Sequence, residues 1–149
     1  MSITKMNPRT IHLGGPLTEV NDLPLTGTPL PGFLMERYSN SGVDTYRAHS
    51  TAGGPALPSV LPNQPYLKKA YDVAFADGDL AHVGVGVPGT TFYMIIGSGV
   101  NTPQGGFLES AGNGRLRNLA SGTRLFQALE AVNNSAGPGD AYLRVETVG

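Results

Sequence analysis

The chain has 149 residues, with 10 Lys and Arg against 11 Asp and Glu, and it contains no cysteine. This length fits one domain of ordinary size, and the balanced charge provides no basic surface to hold nucleic acid. The absence of cysteine excludes disulfides, thiolate nucleophiles and cysteine-bound metals. Helices tolerate 21 Gly and 12 Pro poorly, so the composition favours an all-β fold of short strands and tight turns.

Membrane insertion and secretion are not expected. The sequence has no run approaching the roughly 18 apolar residues that a membrane helix requires. The first residues, Met1 to Pro8, lack the apolar stretch of a signal peptide. We therefore expect a soluble protein that is made in the cytoplasm and has no membrane partner.

Residues 1–32 are rich in proline and show neither a helical nor an alternating pattern. Because proline fixes φ and withholds a backbone donor, this segment is predicted to be an extended arm. A disordered tail is the alternative, but the arm carries many apolar side chains that suit burial on a partner. The predicted arm contacts are Ile11, Leu13, Leu17, Leu23, Leu25 and Leu30.

From Phe33 onward, short apolar segments alternate with turn residues. Residues 33–38 and 43–49 are predicted to form a hairpin around the turn at 39–42. Residues 50–66 then carry four prolines and a Gly pair, a pattern that predicts a long irregular loop. Loops of this length are usually functional or mobile, so Leu57, Val60 and Leu61 are predicted as a second set of partner contacts.

The second half of the chain contains the clearest strand patterns. Strands are predicted at 68–75, 82–87, 91–96 and 141–148, the last with Leu143 and Val145 inward and Arg144 and Glu146 outward. Of Phe92 and Tyr93, one is expected in the core and the other on the outside. Glycines recur every few residues between positions 97 and 122, as a small barrel requires. Residues 125–132 fit either a helix face or a strand, and we favour the strand.

One segment matches a nucleotide-binding motif by its letters. Residues 84–89, Gly-Val-Gly-Val-Pro-Gly, have the glycine spacing of the dinucleotide fingerprint. That motif works only where a helix begins and directs its amides at the pyrophosphate. Here β-branched and aromatic residues follow, so a hairpin turn is the better interpretation and no cofactor is expected.

No other set of residues indicates catalysis or metal binding. The three histidines, His12, His49 and His82, are far apart in sequence and lack ligand spacing. Asp77 and Asp79 flank a glycine, which a turn requires for backbone reasons alone; an EF-hand would also need its terminal Glu. We therefore predict no catalytic residue, metal, cofactor or small-molecule ligand.

Several segments together resemble the capsid decoration, or cement, proteins of tailed phages. The likeness extends over residues 31–149, and the order and spacing of its pieces carry it more than any single piece. Its main pieces are Pro31-Gly32-Phe33-Leu34, His49-Ser50-Thr51-Ala52-Gly53-Gly54, Phe92-Tyr93-Met94, Leu108-Glu109-Ser110-Ala111-Gly112-Asn113-Gly114, Ala128-Leu129-Glu130-Ala131-Val132 and Leu143-Arg144-Val145-Glu146.

The resemblance implies a small β-barrel or β-tulip domain over residues 33–149. The Pro-rich arm over residues 1–32 is a departure from the family, since it is longer than expected of the smallest members. It also implies a homotrimer on the outer surface of the virion, where the protein binds the major capsid protein and stabilises contacts between its subunits. It implies no catalytic residue. The alternatives are another virion β-module, such as a spike, tail or carbohydrate-binding protein, and a small β-barrel enzyme using Asp77 or Asp79.

Overall fold

The computed structural model describes residues 7–64 and 70–148, and within these residues the chain is all-β with no helix. The strands are β1 (His12–Gly14), β2 (Leu17–Pro24), β3 (Met35–Asn40), β4 (Val43–Ala48), β5 (Ser59–Val60), β6 (Leu80–Gly86), β7 (Thr91–Ile96), β8 (Asn101–Thr102), β9 (Phe107–Ser110), β10 (Leu116–Asn118), β11 (Phe126–Ala128), β12 (Val132–Asn133) and β13 (Ala141–Thr147).

Five strands close into a small barrel. Their order is β7-β10-β9-β11-β13, and β13 pairs with β7 to complete the ring. All the pairings are antiparallel except that between β10 and β7, which is parallel and rests on one residue pair, Leu116 with Ile96. The interior is filled by fully buried side chains that include Phe92, Leu108 and Phe126. The expectation of a small all-β barrel is thus confirmed.

A second β unit lies beside the barrel. It consists of the antiparallel sheet β2-β6-β5 and the β3–β4 hairpin. Two isolated bridges, Leu25 with Tyr46 and Leu34 with Val60, join the hairpin to the segments beside this sheet. These elements enclose a separate apolar cluster, which comprises Leu25, Phe33, Met35, Tyr46, Leu61, Phe75, Ala81, Val83 and Ile95.

Strand β7 connects the two cores. Phe92, Met94 and Ile96 belong to the barrel cluster, whereas Ile95 belongs to the second cluster. One of Phe92 and Tyr93 was expected on the outside, but both are buried; the Tyr93 ring stacks on Tyr142 at a centroid distance of 5.0 Å. Both faces of β7 are therefore covered, and a strand covered on both faces becomes apolar throughout.

The first 32 residues do not form the separate arm that their prolines suggest. Strand β1 pairs with β7, and the longer β2 runs antiparallel along β6 from Leu17 opposite Gly86 to Pro24 opposite Leu80. The prolines lie where they do little harm, since Pro16 precedes β2 and Pro24 is its last residue. Described residues before 33 thus belong to the folded unit, and residues 1–6 lie outside the described part.

Most strand predictions are confirmed, and one is wrong. The hairpin at β3 and β4 and the strands at β6, β7 and β13 lie where the patterns place them, with Leu143 and Val145 fully buried. In the segment 125–132, β11 and the start of β12 are extended, as favoured. Residues 70–75 form no strand; Phe75 is instead held by its amide, which donates to the carbonyl of Pro29. Residues 68 and 69 lie outside the described part.

The glycines of the nucleotide-like motif have a packing role. Gly84 and Gly86 lie in β6. A Cβ at Gly84 would come within 2.8 Å of the Leu17 side chain, and one at Gly86 within 2.8 Å of the Phe92 ring. These side chains occupy the space that any larger residue would need, and β7 follows instead of a helix.

The burial of Ile11 predicts a stability effect that a free arm would not show. Its side chain is fully buried against the barrel core, so Ile11→Ala should lower the free energy of unfolding by about 2–5 kcal/mol. Leu57→Ala, at a largely exposed position, should change it by less than about 0.5 kcal/mol. Chemical denaturation of both variants checks this, and equal stability of the two would mean that Ile11 is not part of the core in solution.

Candidate functional site

A groove of about 290 Å³ lies between the outer edge of β3 and residues 55–59. Its apolar lining comes from both the hairpin and the β2-β6-β5 sheet: Val20, Met35, Tyr46, Ala56, Leu57 and Val85. Glu36, Arg37 and His49 supply most of its polar atoms. We call this feature the β3 groove.

The edge of β3 that faces the groove has unpaired backbone groups. The two-residue turn Ser41-Gly42, with φ of 52° and 87°, connects Asn40 to Val43. In such hairpins the closing pair exchanges hydrogen bonds, and every second pair along the strands then does the same. The backbone groups of Met35, Arg37 and Ser39 therefore point away from β4. Met35 lies beside the antiparallel bridge between Leu34 and Val60 and faces Ser59, whereas within the described residues no second strand pairs with Arg37 and Ser39.

Glu36 is the centre of a polar network at one wall of the groove. Its carboxylate accepts hydrogen bonds from Arg47 Nε at 2.7 Å and from the Ser50 hydroxyl at 3.0 Å. Burial raises the pKa of Glu36, but the hydrogen bonds from Arg47 and Ser50 outweigh this effect and lower it overall. The guanidinium of Arg47 also lies 3.9 Å from the centre of the Tyr38 ring. Glu36 thus stays ionised and is already paired within the chain.

Arg37 is also paired within its own hairpin. Its guanidinium forms an ion pair with Asp44, across the strand pair, and lies 5.5 Å from the centre of the Tyr46 ring. Both partners belong to β4, so the side chain is turned toward the hairpin. The guanidinium of Arg37 therefore does not cover the outer edge of β3.

His49, Ser110 and Glu36 lie in an arrangement that resembles a catalytic triad in composition only. His49 Nδ1 lies 2.6 Å from Ser110 Oγ, and Nε2 lies 3.7 Å from Glu36. In a serine hydrolase the other ring nitrogen, Nε2, contacts the nucleophile. Ser110 is also fully buried and accepts a hydrogen bond from the Gly112 amide. A substrate cannot reach its hydroxyl, so these contacts hold the hairpin against the barrel.

Glu109 anchors a second set of loops. Its carboxylate is almost completely buried and accepts hydrogen bonds from the amides of Ala120 and Gly122 and from Arg117. The hydrogen bond from the Ala120 amide lowers the pKa of Glu109 most, and the hydrogen bond from Arg117 lowers it further, because both stabilise the charged carboxylate. The 120–122 turn is thereby fixed to β9.

The nine predicted contact residues differ in accessibility. Leu57 is 71% exposed and lines the β3 groove. Leu13 and Leu17 pack at the edge of the barrel core, and Leu23 and Leu30 pack at the edge of the second core. The remaining four are buried in the chain's own cores, namely Ile11, Leu25, Val60 and Leu61. Apolar residues in a Pro-rich stretch have thus found partners within the chain, and these four offer no surface to another protein.

The isolated acidic and histidine residues have local roles. Asp77 accepts a hydrogen bond from the Gly27 amide at 2.7 Å, and Asp79 accepts one from the Ala76 amide at 2.9 Å. His12 contacts the Gly15 carbonyl, and His82 contacts Asn21. Within residues 7–64 and 70–148, no three His, Cys, Asp or Glu side chains come together in a way that could hold a metal.

Sequence reasoning missed the open edge of β3. The hairpin was predicted, but its pattern does not reveal which edge stays unpaired or that residues 55–59 run beside it. The sequence offers only the alternation of Met35 and Arg37 with Glu36 and Tyr38. This alternation places Met35 and Arg37 on one face of the strand, but it does not show which segments of the chain lie beside the strand.

Comparison with known proteins gives a likeness in fold and none in sequence. No protein-family model and no curated protein matches the chain. Among solved structures, the fold is similar to the N base of head fiber gp8.5 from bacteriophage phi29, with a TM-score of 0.58 and 11% sequence identity. The match covers 88% of this chain and 93% of that chain. At this identity the likeness concerns the fold, and it includes the β unit beside the barrel as well as the barrel itself.

The search for a spanning helix gave a negative result. In the part of the chain that the structure describes, no helix is long and apolar enough to cross a membrane.

The lowered pKa of Glu109 predicts a loss of stability in acid. The carboxylate is more acidic in the folded than in the unfolded chain, so its contribution is present above its unfolded pKa, about 4.3. It is lost as the pH falls through the lower folded value. Glu109→Gln should therefore reduce stability at pH 7 and flatten its decline between about pH 5 and pH 2. Glu19→Gln, at an exposed position of β2, is the matched control. Denaturation midpoints measured across pH compare the two variants with the wild type. Parallel curves for E109Q and wild type would contradict the lowered pKa of Glu109.

Proposed function

We propose that this protein is a structural component of a phage virion that binds the outer surface of the head and stabilises contacts between major capsid protein subunits. The observation that carries the proposal is the fold, which is similar over nearly its whole length to the N base of a phage head fiber. The resemblance of residues 31–149 to capsid decoration proteins supports it independently, because it rests on sequence.

The side-chain chemistry of the described residues is consistent with a binding role. The polar groups of Glu36, His49 and Glu109 are satisfied by contacts within the chain and hold loops in place. Ser110, the one hydroxyl placed beside a histidine in this network, is buried. We infer that the protein is not an enzyme and that it acts through its surface.

A homotrimer is the assembly that we propose on the head. Three copies joined together present three capsid-binding surfaces at once, so weak individual contacts add through effective concentration. The chain's near-neutral net charge of −1 implies that this binding depends on shape and apolar contacts more than on long-range attraction.

Binding to heads tests the proposal directly. Purified protein should sediment with expanded, undecorated heads and should not sediment with immature heads, because the two present different surfaces. Thermal disruption of the heads should shift to higher temperature when the protein is bound. Failure to sediment with expanded heads at micromolar concentration would contradict the proposal.

A deletion of residues 1–30 is not a suitable test of capsid contacts. It removes β1 and β2, which belong to the sheets, and it uncovers both cores. Single substitutions at exposed positions are therefore required, and such variants are described below.

The fold likeness also favours a second candidate, the base of a head fiber. The two functions differ in what the head-bound protein carries: a fiber base should be attached to a projecting fiber, and a decoration protein should end at the head surface. Cryo-electron microscopy of purified virions separates the two, and detection only in host cytoplasm would exclude both.

A further inference from the structure

We propose that the open edge of β3 receives an extended, uncharged segment of the major capsid protein, which adds to the hairpin as a third strand. This inference rests on the proposed function and specifies how the contact is made. Two features of the structure meet at this place: an edge strand with unpaired backbone groups, and the apolar β3 groove directly beside it.

The backbone of β3 determines the shape of the occupant. Two successive outward positions, Arg37 and Ser39, direct their N–H and C=O groups away from β4, and within the described residues no second strand pairs with them. Backbone groups at this spacing are satisfied by another extended strand, and not by a helix or a loop of irregular φ and ψ. An added strand would supply both donors and acceptors.

The groove provides the space for the side chains of the added strand. Met35, Glu36 and Arg37 all line it, although successive strand residues point to opposite faces. A groove lined from both faces must follow the edge of the strand, where an added strand would lie. Its inner surface is apolar, and Leu57 on the opposite wall is 71% exposed. Alternate apolar side chains of the added strand would cover Leu57 and Val85.

The charges around the groove restrict the chemistry of the occupant. Glu36 is paired with Arg47, and Arg37 is paired with Asp44. A charged side chain entering the groove would find no uncompensated partner among these four and would lose its hydration. The complementary segment is therefore uncharged and apolar at alternate positions.

Natural proteins usually protect open strand edges, and β3 is only weakly protected. Common devices are a lysine or proline on the edge, or a covering loop. In this chain the one charged residue at the middle of the edge, Arg37, is drawn toward Asp44 and Tyr46. A site that must accept another chain is expected to keep such an edge free.

The first experiment places a charge in the groove. Leu57→Asp should weaken sedimentation with expanded heads by at least about tenfold, because the carboxylate would be covered by an apolar strand. Leu80→Asp is the matched control: Leu80 is 56% exposed and does not line the groove, so its binding should equal that of the wild type. Both variants should keep the wild-type melting temperature, since both positions are exposed.

The second experiment tests the backbone. Arg37→Pro removes the outward N–H without breaking the pairing to β4, whereas Arg37→Ala removes the same side chain and keeps the N–H. Binding should fall about tenfold further for R37P than for R37A. Should R37P fail to fold, hydrogen exchange of the wild-type protein on heads gives the same information: the amides of Arg37 and Ser39 should become protected on binding.

The outcomes separate this inference from the proposed function. Wild-type binding to heads, together with full binding by L57D and unprotected amides at Arg37 and Ser39, would overturn the inference and leave the function intact. Absence of wild-type binding would overturn both. If L57D or R37P instead changed the oligomeric state of the isolated protein in sedimentation velocity, the occupant would be a second copy of this chain and the capsid assignment would be wrong.

Discussion

The pairing of β7 with three strands is the interaction on which the rest of the structure depends. β13 follows one edge of β7 over six residue pairs, and the other edge is shared: β10 occupies its end at Ile96, and β1 occupies its beginning at Phe92. The contact to β10 is a single pair, so the barrel would be open along much of this edge without the N-terminal strand. β1 and the buried Ile11 beside it fill this position. Since the other face of β7 covers the second core, both β units lose support if β7 is displaced.

The pattern of short segments predicted the strands that have a clear inside and outside. β13 alternates strictly because one face meets the barrel interior, and β6 and β7 were located from their valines and aromatic residues. The all-β class also followed from composition, since so many glycines and prolines are incompatible with long helices. What local patterns specify, in this chain as in others, is which residues need burial.

Local patterns do not specify which surface provides that burial. The leucines between positions 11 and 30 were assigned to a partner because no period linked them to the domain, yet β2 pairs with β6, from Pro24 opposite Leu80 to Leu17 opposite Gly86. The prolines also favoured the wrong prediction of a separate arm. Pro16 and Pro24 lie at the ends of β2, where a missing backbone donor costs little. The β3 groove could not be predicted for a related reason. It exists because residues 55–59 bend away from β3 beyond the single bridge between Leu34 and Val60. No residue type indicates where two neighbouring segments separate in this way.

The distance along the chain between β1 and its partner also has a consequence for how the protein forms. His12 lies opposite Phe92, about 80 residues later, and β7 in turn needs β13 at the end of the chain. Contacts of such high sequence separation slow folding, because loop closure must precede any gain from pairing. While the chain is still on the ribosome, β1, β2 and the hairpin lack part of the strands against which they pack. The barrel closes only when β13 has emerged. The first strands to be synthesised are thus among those that wait longest for their partners.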